Sequence, residues 1–118
     1  EKPGRGSEAL RRDMRTLLET IQGWPSSPDI LCTGVWSSTH AGERTSYQGW
    51  TRQVEDTVAA VCEDLSIPFV SVEEAALDPA CSGWGEHPGV QWHPNDRGMK
   101  AYADGLFEAF KQHYLEDQ

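Results

Sequence analysis

One hundred and eighteen residues suffice for one compact domain, and nothing in the composition divides the chain, so 1–118 reads as a single domain. A formal charge of −9, from 19 acidic against 10 basic side chains, argues against a nucleic-acid surface, where clustered Lys and Arg would neutralise phosphates. No apolar run approaches a membrane span, no signal peptide is visible, and three cysteines cannot complete an internal disulfide framework.

Glu1 to Gly6 reads as a linker or a cut loop, and Ser7 can cap a first helix with Leu10, Met14, Leu17, Leu18 and Ile21 at spacings of three and four. Arg11, Arg12 and Arg15 form its solvated face, and Gly23 ends it. After a turn over Pro25 to Pro28, the apolar run Ile30 to Trp36 predicts a central parallel strand buried on both faces. The polar segment from Ser37 to Gly49 is long for a connection, and such loops tend to be functional. It makes Trp36 and His40 candidate substrate contacts, with packing under the loop as the alternative. Trp50 falls in register with Val54, Val58, Val61 and Leu65 on a second helix.

Ile67 to Val72 predicts a second strand, with Pro68 near its start where a ladder donor can be spared. A short acidic helical turn, Glu73 to Leu77, is broken by Asp78-Pro79. The loop from Ala80 to Trp92 mixes glycines with Trp84 and Trp92, which either wall an acyl or sugar group or cover the core. A last helix carries Met99, Ala103, Leu106, Phe107, Phe110 and Tyr114 on one face, enough to bury it against the sheet. Cys32 and Cys62 read as small buried hydrophobes that do not bridge, while Cys81 sits in a loop. Neither the Cys nor the His spacing suits zinc, and no Gly-rich phosphate loop follows either strand, so neither a metal nor a cofactor is expected.

The residue that carries chemistry is His93. Pro94 drives it into extended backbone, and Asn95 or Asp96 can cap the helix that follows, Asp96 reading as a cap rather than a triad acid. An imidazole held there can take a proton from a hydroxyl and return it to a leaving group near neutral pH.

The block His93-Pro94-Asn95-Asp96-Arg97-Gly98-Met99, followed by Ala101, Ala103 and Leu106, resembles the last block of the SGNH (GDSL-type) hydrolases. That resemblance implies the C-terminal portion of a three-layer α/β/α flavodoxin-like sheet, and cleavage of esters or acetylated carbohydrates by a serine nucleophile with His93 as base. The family's Asp three residues before the histidine is replaced by Val90, so the orienting group would be a backbone carbonyl near Val90, or Glu86 folding back. The family's Gly-Asp-Ser, oxyanion-hole Gly and Asn blocks are not in this chain, and none of its serines sits in a Gly-x-Ser-x-Gly elbow.

The expected function is thus the histidine-bearing part of a serine-type ester hydrolase. Its nucleophile would come from a complementary N-terminal polypeptide, or the sheet would be repaired by self-association. The rival is a non-catalytic interaction module on the same scaffold. A flavodoxin-like cofactor binder shares the fold class and lacks a motif. Compartment is left open.

Overall fold

The computed structural model describes residues 3–36, 45–83 and 93–116, with side chains described over 7–36, 51–83 and 93–116. Helix α1 (Pro3–Gln22) packs on α2 (Thr45–Asp64), and strands β1 (Cys32–Thr33) and β2 (Phe69–Val70) form a parallel pair. A short α3 (Glu73–Ala76) and a 3-10 turn (Pro79–Cys81) lead toward α4 (Asp96–Phe110), which ends in a π-helical turn over Lys111–Leu115.

α1 begins at Pro3, one turn ahead of the expected cap at Ser7, because proline at the first helical position has no amide to leave unpaired. Its inward stripe is the buried Leu18 flanked by the half-buried Met14 and Ile21; Leu17 faces solvent. Leu18 meets Val61, Cys62 and Ile67 in a core bordered by Ile30, Val58, Leu65 and Phe69. Arg15 reaches across to Asp64 at 2.9 Å, and Gln22 donates to the Leu65 carbonyl at 3.0 Å. Both tie α1 to the end of α2.

α2 ends in a paired-carbonyl cap. Ser66 takes a left-handed φ of 58°, its amide bonds Glu63 O, and the Ile67 amide reaches back to Cys62 O at 2.8 Å. That reversal drops Ile67 into the core and starts β2.

The three-layer α/β/α flavodoxin-like sheet is not formed: the described residues are 66% helix with one two-stranded parallel pair. The register is Cys32 with Phe69 and Thr33 with Val70, closed by Cys32 N–H to Pro68 O and Gly34 N–H to Val70 O. The apolar run 30–36 extends only where β2 flanks it. At Ile30 the ladder is replaced by the Tyr114 hydroxyl, which accepts from the Ile30 amide and donates to its carbonyl. A sheet of two strands cannot bury its residues on both faces, and all four strand residues are half-buried.

The face of α4 is also rotated from expectation. Met99 and Phe107 are 56% and 60% exposed, and Phe110 is exposed too, while Gly98 is buried and Ala101, Tyr102, Gly105 and Leu106 are half-buried. Small residues let the helix approach closely: a Cβ on Gly98 would fall on the Cys81 carbonyl, and one on Gly105 would lie 3.7 Å from Val70 Cγ1. The bulky stripe has no wide sheet to cover.

Candidate functional site

The 3-10 turn and the start of α4 are laced together around His93. Asp78 caps the turn by accepting from the Ala80 amide, and the chain then pairs antiparallel with the segment entering α4. Gly83 N–H donates to His93 O at 3.0 Å, Asn95 N–H donates to Cys81 O at 3.0 Å, and Ser82 bridges Pro94. Asn95, rather than Asp96, is the helix cap: its Oδ1 accepts from Gly98 N at 3.0 Å. Its Nδ2 donates to Ala80 O at 3.0 Å and Gly83 O at 3.2 Å. Asp96 is the first helical residue, where a carboxylate suits the positive end of the helix without capping it.

The consequence for His93 is a carbonyl held by the Gly83 amide and a side chain left exposed, with no hydrogen bond to it among the described residues. Ser82 is not its nucleophile. Side chains alternate across a paired strand, so Ser82 and its partner Pro94 share one face and His93 projects from the other. Ser82 is buried, and its hydroxyl accepts from Trp36 Nε1 at 3.2 Å.

Trp36 is thereby brought to the opposite face of the same ladder. It stacks on Tyr102 with ring centroids 6.3 Å apart and lies beside Gly98, while Tyr102 shares a 2.7 Å hydrogen bond with Thr33 at the end of β1. For this residue packing accounts for every observed contact. Glu86, Val90, His40, Trp84 and Trp92 lie outside the described residues, so their expected roles as orienting groups and substrate contacts have no geometry here.

Two features escaped the sequence reading. Glu55 is only 7% exposed, packs against the backbone of Gly34 at the end of β1, and leaves Oε1 without a hydrogen-bond partner. The signal was available: Thr51, Glu55, Val58 and Cys62 share a face at spacings of four, three and four, so a core Cys62 implies a buried Glu55. The second feature is a cavity of about 410 Å³ between α3 and α4, opening past the carboxyl end of β2, which neither His93 nor Trp36 lines.

Cys81, 4% exposed, borders that cavity. Burial and the neighbouring Asp78 raise its thiol pKa, and Arg97 opposes the rise. Such a thiol is a poor nucleophile. Cys62 is pushed up to about 12, first by burial and then by Cys32, which packs against the same core, and all three cysteines are free. Among the described residues no group of three or more His, Cys, Asp or Glu side chains is placed to hold a metal ion, and no helix is long and apolar enough to cross a membrane.

Comparison with known proteins adds no assignment: no family model, no curated protein and no solved structure matches this chain.

Proposed function

We propose that this chain supplies the acid/base histidine, His93, of a serine-type ester hydrolase whose hydroxyl nucleophile and oxyanion donors come from sequence outside it. One observation carries the reading: the segment 93–95 is fixed by the ladder to 81–83 and by the Asn95 clamp, yet the imidazole it presents is exposed and unengaged by any described residue. A merely structural histidine would spend its ring nitrogens on neighbours; a proton-transfer group needs them free for a hydroxyl.

In the proposed reaction His93 accepts the hydroxyl proton as the oxygen attacks the acyl carbon. The tetrahedral intermediate then expels the alcohol, which takes that proton from the imidazolium. Water repeats the sequence on the acyl-enzyme and releases the acid. The carbonyl at Val90 or the carboxylate of Glu86 would hold the ring during both transfers. Substrates of this class are short acyl esters or acetylated carbohydrates.

The test uses the polypeptide that carries both the nucleophile and this chain. His93→Ala is expected to abolish nearly all hydrolysis of a short acyl ester with the thermal transition unchanged, since the exposed ring supports no packing. Glu86→Gln should cost far less if a carbonyl orients the ring, and nearly as much if Glu86 does. Unchanged hydrolysis in His93→Ala, against a control for contaminating esterase, sinks the reading. It would leave the non-catalytic interaction module, which the exposed apolar stripe of Met99, Phe107 and Phe110 on α4 favours.

A further inference from the structure

The cavity between α3 and α4 has its own chemistry, separate from His93. Its floor is Val70 at the end of β2 and Val72 at the entry to α3, and Ala101 and Gly105 of α4 form an apolar wall. At one end stands Arg97, which lines the cavity together with Cys81 and whose guanidinium has no carboxylate within ion-pair distance among the described residues. Asp78, an acid lining the same cavity, is already engaged: it accepts from the Ala80 amide through Oδ1 and from Cys81 Sγ through Oδ2. An arginine with five donors, unpaired at the end of a cavity with an apolar floor and wall, is suited to hold the head of an anionic ligand in a bidentate grip.

The cavity also selects among anions. Ser71 accepts from the Glu73 amide through its oxygen, which leaves its hydroxyl proton available to a second acceptor. Glu74 and Asp78 on the α3 side repel an anion in proportion to its charge, so a single negative charge is opposed least. About 410 Å³ falls within the range of small-molecule pockets and has room for an alkyl body behind the head group.

From this arrangement we infer that the α3–α4 cavity binds a small monocarboxylate, its carboxylate on Arg97 and its apolar body along Val70, Val72 and Gly105. The site does not depend on the hydrolase reading, and no residue in it is assigned a part in that reaction.

The probes are hexanoate, 1-hexanol and inorganic phosphate, titrated into the whole chain while amide and arginine Nε–H signals are followed by NMR. Hexanoate should produce saturable shifts at Arg97, Ala101 and Gly105, and hexanol should bind at least about tenfold more weakly, as expected for a lost charge-assisted contact. Arg97→Gln should weaken hexanoate by a similar factor, and Arg97→Lys by less. Glu74→Gln should tighten hexanoate by removing a like charge. Arg97 is exposed, so these variants keep the fold, and unchanged dispersion elsewhere in the spectrum checks it. Shifts that never saturate, equal binding of hexanol, or an affinity unmoved by Arg97→Gln would each overturn the proposal. Phosphate binding more tightly than hexanoate would overturn the carboxylate class.

Discussion

Replacing Asn95 by alanine tests the clamp that holds His93. The substitution removes a helix cap, about 1 kcal/mol, and two donations to the carbonyls of Ala80 and Gly83, about 0.5–1.5 kcal/mol each. Water replaces part of the bond to Ala80, which is exposed, so the expected total is about 2–3 kcal/mol. With a urea slope of about 2 kcal/mol per molar, the unfolding midpoint should fall by about 1–1.5 M with the slope unchanged. Asn95→Asp separates the two parts. It keeps an oxygen for the Gly98 amide and suits the helix dipole, but it has no donor and sets a carboxylate against two carbonyls, so about 1–2 kcal/mol should still be lost. Amide exchange at Gly83 should accelerate in both variants, since its bond to His93 belongs to the same ladder. An Asn95→Ala protein within about 0.5 kcal/mol of the parent, or an Asn95→Asp protein of full stability, would refute the reasoning.

Gly98→Ala should destabilise by about 2–3 kcal/mol in the same assay, despite alanine's better helix propensity, because the new methyl meets the Cys81 backbone carbonyl and Pro94, neither of which can swing away. Ser66→Gly should raise stability by about 0.5–1 kcal/mol, since φ 58° strains any side chain and glycine's greater unfolded freedom cancels only part of the relief; a loss would show the residue contributes something besides the turn. Above pH 9.0 an unfolded chain ionises Cys62 while the folded one holds its proton up to about 12, so stability should fall as pH rises through that window, by at most about 1.4 kcal/mol per unit. Below it the thiol is protonated in both states and contributes no slope. Cys62→Ala should flatten this component of the alkaline slope measured by urea unfolding, and an unchanged slope would contradict it.

Local grammar was legible in the sequence. Spacings of three and four placed Met14, Leu18, Val58 and Val61 in helices with buried stripes, and the apolar runs around Cys32 and Phe69 marked two strands that pair in parallel. Pro94 and Asn95 announced a helix start with His93 just ahead of it. These inferences rest on interactions within a few residues of each other, so the chain itself carries them.

Tertiary structure decided whatever depended on distant neighbours. A short apolar run is compatible with a central strand or a stub, and only the count of flanking strands distinguishes them; among the described residues there is one, and the layered sheet does not form. Bulk did not determine which face of α4 is buried. Close approach at Gly98 and Gly105 turned the smaller face inward and left Met99 and Phe107 outside. The same dependence separates the two candidate sites. His93 stands in a local motif and could be named from it, whereas Arg97 becomes a binding group only because α3, the 3-10 turn and α4 converge to leave it unpaired beside a cavity. A sequence states which groups a segment carries; folding decides which of them find partners and which remain free to bind something else.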